Sequence, residues 1–109
     1  MAIGTARVRV PKKIKKGKPF KVQFIIIHPM EPGTRKDKKT GKLIPAHHIT
    51  KLDIKFNGKL VTHMDVGGAV SANPYFAIMM KTDESGTLEI SYEDNKGGKW
   101  KKSVEIKVS

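Results

Sequence analysis

Thr50-Lys51-Leu52-Asp53-Ile54-Lys55-Phe56-Asn57-Gly58-Lys59-Leu60-Val61-Thr62-His63-Met64 decides the fold. Leu52, Ile54 and Phe56 alternate with Lys51, Asp53 and Lys55, the period-two pattern of a half-buried strand. Asn57-Gly58 follows, a pair that accepts positive φ at both positions of a two-residue hairpin turn. Leu60, Thr62 and Met64 then return on a partner strand. An antiparallel hairpin with one apolar and one wet face is the expected unit.

The same alternation recurs on both sides, and helical periodicity is nowhere sustained. Ala6, Val8 and Val10 alternate with Arg7 and Arg9 until Pro11. Lys12 to Pro19 reads as a basic connection. Phe20, Val22, Phe24 and Ile26 share a face, and from Ile25 the run is apolar on both sides, as in a covered central strand. His28-Pro29 breaks it, and Met30 to Gly41 reads as a long basic loop or hairpin. Tyr75 to Lys81, Leu88 to Glu93 and Trp100 to Val108 supply further strands, separated by Asp83-Glu84-Ser85-Gly86 and Asp94-Asn95-Lys96-Gly97-Gly98. About seven short strands with turn signals between them predict an all-β fold, a single immunoglobulin-like antiparallel β-sandwich over residues 1–109. A small barrel is the main alternative. Trp100 is expected in the core or at its rim.

The 109 residues carry a net charge of +12, unevenly spread. Residues 1–21 hold eight Lys or Arg and no acid, whereas residues 43–94 hold four basic and seven acidic residues. Such a field favours an anionic partner, whether an acidic protein or a nucleic acid. No apolar run approaches the roughly 18 residues of a membrane helix, so no membrane partner is expected. Met1 to Arg7 lacks the apolar core of a secretory signal. There is no cysteine. That excludes disulfides, a thiolate nucleophile and thiolate metal sites, and leaves the compartment open.

Catalytic patterns are missing. His47 and His48 are adjacent and would point to opposite faces of a strand, poor geometry for one metal. Whether His28 or His63 meets His47 in space cannot be read from spacing, and no metal or other cofactor is expected. Glu31, between Met30 and Pro32, is the one carboxylate in a special setting. Asp83, Glu84, Glu93, Asp94 and Asp65 are expected at solvated strand ends and turns. Ser71 and Ser85 lack a nucleophile elbow. A basic nucleic-acid-binding β-protein is the alternative, although aromatics make up only 6% of the chain and leave few stacking platforms.

Gly67 to Phe76 is small and uncharged, a loop that either packs on its own domain or receives something. Its Gly68-Ala69-Val70-Ser71-Ala72-Asn73-Pro74-Tyr75, with His28-Pro29-Met30-Glu31-Pro32-Gly33, Ile44-Pro45-Ala46-His47 and Asp94-Asn95-Lys96-Gly97-Gly98, resembles the SoxZ family over nearly the whole chain. The resemblance implies an immunoglobulin-like, non-catalytic subunit of the SoxYZ carrier complex. In that family the partner, SoxY, carries thiosulfate-derived sulfur on a C-terminal cysteine, and other sulfur-oxidation enzymes contact the complex transiently. It also implies a periplasmic location reached by co-export with the partner; without the resemblance a cytoplasmic one is expected. On this reading the expected partner contacts are Gly68, Ser71 and Asn73 for close backbone approach, and Tyr75 and Phe76 as apolar anchors. Met30 would fill gaps, and His28, Glu31 and Arg35 would fix polar groups. An isolated chain with open sheet edges is expected to self-associate.

Overall fold

The computed structural model describes residues 2–67 and 70–109, and among these there is no helix. Seven strands form: β1 (Ala6–Arg9), β2 (Phe20–Ile26), β3 (Ile49–Phe56), β4 (Lys59–Asp65), β5 (Tyr75–Met80), β6 (Gly86–Asp94) and β7 (Lys99–Ile106). They make two antiparallel sheets, ordered β1-β2-β5 and β4-β3-β6-β7. The chain crosses between sheets after β2, β4 and β5, so the fold is a sandwich of immunoglobulin-like type rather than a closed barrel.

Each strand buries alternate residues against the other sheet. Val22, Phe24 and Ile26 of β2 meet Leu52 and Ile54 of β3, Leu88 and Ile90 of β6, and Ile106 of β7 in one core. Fully burying a side chain of this size stabilises by roughly 1.5–3 kcal/mol. Phe76 of β5 stacks on Phe24 with ring centres 5.1 Å apart. The β3–β4 turn is the expected one, with φ of 51° at Asn57 and 82° at Gly58. A register shift between Ile54 and Lys55 displaces the start of β4, so Leu60 is exposed rather than inward.

Three expectations change. Ile14, in the basic connection, is buried and bridges Val108. The outer side of β2 is not covered: Ile25 is exposed, because no layer packs on the outside of the three-stranded sheet. The third is in the Gly67–Phe76 loop, whose small glycines would be the natural place for a left-handed turn: Gly67 does not adopt a left-handed φ, and Asn73 does, at 51°.

Candidate functional site

At one end of the sandwich three stretches meet on a single carboxylate. Asp94 continues the inward row of Leu88, Ile90 and Tyr92, so the parity of β6 turns it into the interior, where it is 7% exposed. Its solvated strand-end placement is therefore wrong. The Lys96 and Gly98 amides donate to its Oδ1 at 3.1 and 2.8 Å. Its Oδ2 faces two imidazoles: His28 Nε2 lies 2.9 Å away and His47 Nε2 2.8 Å away.

His28 leaves β2 fully buried, and Asn73 holds it there. Asn73 N donates to His28 O at 2.8 Å, and His28 N donates to Asn73 Oδ1 at 3.0 Å. His47 arrives by a two-way backbone pairing with Glu31, at 2.7 and 2.8 Å. Asn95 ties the same loop down, donating to Ala46 O at 2.8 Å and accepting from His48 N at 2.8 Å. His48 turns its ring away from the cluster, toward the Ile49 carbonyl. Trp100 caps the cluster, stacked 5.7 Å from Tyr92 and edge-on at 6.2 Å from His28. Tyr92 donates its hydroxyl to the Gly4 carbonyl, and burial raises its pKa.

Burial opposes ionisation of Asp94, but four donors outweigh it. Hydrogen bonds from His28, the Gly98 amide, His47 and the Lys96 amide bring its pKa down to about 2. The tautomer of His28 is fixed by geometry. Met30 N donates to Nδ1 at 3.2 Å, so the ring proton sits on Nε2 and is donated to Asp94. Met30 accepts a φ of 53° for this, costly for a side chain with a Cβ, and its thioether receives the Ile49 amide.

One donor atom from each of His28, His47 and Asp94 lies within 4.8 Å of the others, the donor types of a divalent transition-metal site. The protonation pattern does not fit an ion. Ligation through His28 Nε2 would move the ring proton to Nδ1, where the Met30 N–H already points. The trio is a closed hydrogen-bonded clasp. His63 lies elsewhere, on the exposed face of β4 between Asp53 and Asp65. Its pKa is raised, chiefly by the hydrogen bond to Asp53 and then by that to Asp65.

The residues expected at a partner surface divide. His28 and Met30 are buried and serve the clasp. Asn73 uses its side chain on His28, and Phe76 packs on Phe24. Glu31 is half-buried and ion-paired with Arg35 (Nε to Oε2 3.2 Å), which lowers the Glu31 pKa and raises that of Arg35. Arg35, Ser71 and Tyr75 are exposed, and Gly68 lies outside the described residues. Asp94 was missed, although the inward parity of Leu88, Ile90 and Tyr92 pointed to it.

The family model described as "Sulphur oxidation protein SoxZ" matches residues 8–105. The sequence matches no curated protein. Among solved structures, the superoxide reductase (neelaredoxin) of Ignicoccus hospitalis is similar with a TM-score of 0.75 at 23% identity, over 98% of this chain and 82% of that one. A putative superoxide reductase from Thermotoga maritima has a TM-score of 0.70 at 22% identity, over 95% and 85%. The sulfur carrier protein SoxY from Chlorobium limicola has a TM-score of 0.60 at 16% identity, over 94% and 74%. At these identities the structural likenesses establish a shared fold.

Proposed function

The chain belongs to the SoxZ family of sulfur-oxidation proteins, and from that premise we propose that it is the non-catalytic subunit of a SoxYZ-type sulfur carrier. The observation that carries the reading is chemical. The chain has no cysteine, so it offers no thiolate on which sulfur could ride covalently. Sulfur bound during oxidation must sit on another chain, and this subunit serves by binding that chain. Its buried polar cluster supports the same view, because the imidazoles of His28 and His47 are engaged with Asp94.

The partner we assign is a SoxY-type subunit whose C-terminal cysteine holds thiosulfate-derived sulfur, with transient contact to the enzymes that load and unload it. The compartment we assign is the periplasm, reached together with the carrier; cell fractionation with and without the carrier gene checks this. The basic surface would steer an acidic partner into encounter.

Calorimetry between this chain and the SoxY-type subunit of the same organism tests the reading. A stable one-to-one complex is expected, and Tyr75→Ala should weaken it by about 1–3 kcal/mol. Absence of binding at micromolar concentrations would end the carrier-subunit reading.

A further inference from the structure

The two outer faces of the sandwich differ in chemistry. On the four-stranded sheet, charges of both signs interleave: Lys51 pairs with Glu93 at 3.2 Å, Lys101 with Glu89 at 3.1 Å, and His63 with Asp53 and Asp65. That is a solvated face of mixed sign, on which Lys51, Lys101 and His63 have carboxylate partners while Lys55 and Lys99 stand opposite Glu89 and Glu93 in the register. The three-stranded sheet has none of this. β1, β2 and β5 contain no Asp or Glu at all.

Register lays out its surface. Arg7, Ile25 and Tyr75 form one row across the three strands, and Arg9, Gln23 and Ala77 form the next. Lys21 and Met79 form a third. Tyr75 and Met79 are 57% and 61% exposed, and Ile25 is 39% exposed. An apolar strip along β5 and the end of β2 is therefore bordered by Arg7, Arg9 and Lys21, cations with no ion pair among the described residues. Arg7, Arg9, Gln23, Ile25 and Tyr75 also line a hollow of about 220 Å³.

The edge of β5 adds a second observation. Four strands end the two sheets, and open edges ordinarily carry charge or proline against unwanted pairing. β1 has Arg7 and Arg9, β4 has Lys59 and Asp65, and β7 has Lys99, Lys101 and Lys102. β5 reads Tyr75-Phe76-Ala77-Ile78-Met79-Met80, uncharged along its length, with Pro74 and Lys81 only at its two ends. An edge left unprotected beside an exposed apolar strip is built to be covered.

We propose that this face, the outside of β1-β2-β5 together with the bare edge of β5, is where the carrier subunit docks. The complementary patch on that subunit is apolar at its centre and bears carboxylates at its rim, to meet Tyr75, Met79 and Ile25 and the cations Arg7, Arg9 and Lys21 respectively. The proposal rests on the carrier reading above and gives it a location. It moves the interface from the Gly67–Phe76 loop onto the sheet that the loop leads into, with Tyr75 common to both.

Titration of the purified SoxY-type subunit into Tyr75→Lys, Met79→Lys and an Arg7→Glu/Arg9→Glu double variant tests it. Ser103→Lys, on the exposed outer face of β7, is the control. All five positions are exposed, and circular dichroism verifies the fold. The two β5 variants should weaken binding by at least about tenfold, as central anchors do. The double variant should slow association and flatten its salt dependence. Ser103→Lys should bind like wild type. Wild-type affinity in the β5 variants overturns the location while leaving the carrier reading standing. A wild-type chain that does not bind the carrier at all overturns the carrier reading instead. Sedimentation showing a dimer of the isolated chain that Tyr75→Lys dissolves, with carrier binding untouched, makes the face a contact between copies and overturns the proposal.

Discussion

Replacing Asp94 with Asn keeps the shape of the clasp and inverts part of its hydrogen bonding. In the native protein all four groups around the carboxylate donate: two backbone amides to Oδ1 and two imidazole N–H groups to Oδ2. An amide has one accepting and one donating end. If its oxygen faces Lys96 and Gly98, its NH2 points at two imidazole donors; flipped, it points at two backbone donors. His47 has freedom to change tautomer, but His28 does not, because the Met30 amide occupies its Nδ1. At least one buried donor–donor conflict therefore persists in either orientation. Breaking a buried charged network from one side costs about 3–5 kcal/mol, and retention of one acceptor places the loss for Asp94→Asn near about 3 kcal/mol. Urea denaturation with an m-value of about 1–3 kcal/mol/M would show this as a midpoint lower by about 1–3 M.

Acid provides an internal check on the same carboxylate. Its folded pKa of about 2 lies below the ordinary 3.8. A depressed carboxyl contributes stability above its unfolded value and loses it as pH falls through the folded one. At about 1.4 kcal/mol per pH unit the gap corresponds to about 2 kcal/mol, and the Asp94 side chain is buried enough to need little screening correction. The wild-type advantage over Asp94→Asn should therefore shrink by about 2 kcal/mol between pH 5 and pH 2. A variant within about 0.5 kcal/mol of wild type at neutral pH, or a difference that stays flat across that range, would refute the donor count on which this rests.

Three other outcomes are open to measurement. His63 should titrate above the usual histidine range by NMR, and Asp53→Asn should bring it back toward that range. Its stabilising contribution should be complete below the unfolded histidine value of about 6.5 and fade as pH rises through the folded value, so His63→Gln loses most on the acidic side. Gly4→Ala should cost about 2–4 kcal/mol in thermal melts and redden Trp100 emission, since Gly4 has a φ of +93° and a Cβ there would overlap the Trp100 ring. Phe24→Ala should cost about 3–5 kcal/mol by removing a fully buried ring and the stack on Phe76; a loss under about 1 kcal/mol would mean that the sheets close over the gap.

The strands were legible because their signal is local. Leu52, Ile54 and Phe56 alternate within a single strand, and Asn57-Gly58 names its own turn, so β3 and β4 emerge from neighbouring residues alone. Ile25 was misread because an apolar residue facing a second layer and one facing open solvent look the same in sequence; the number of layers settles which it is. Leu60 was misplaced because a bulge changes parity without leaving a mark in composition. The clasp lay hidden for a further reason. Its members stand at positions 28, 47 and 94, and their meeting depends on how three loops close one end of the sandwich. Asp94 alone carried a readable hint in its inward parity, whereas His28 and His47 had none, since a histidine that anchors and one that ligates have the same side chain. The blocks that suggested the family were more informative than their residue types: His28, Ala46-His47, Asn73 and Asp94-Asn95 are the ones that converge.

The clasp also bears on the chemistry next to which this protein would stand. Small sandwiches that work outside reducing compartments commonly fasten their sheets with a disulfide. Here a carboxylate shared between two imidazoles does the fastening, and the chain holds no thiol of any kind. Persulfides and polysulfides exchange with thiols and disulfides wherever they meet them. A scaffold held by packing and hydrogen bonds alone gives such species nothing to attack, so on the carrier reading proposed above it would stay folded beside a sulfur-laden cysteine without competing for its cargo.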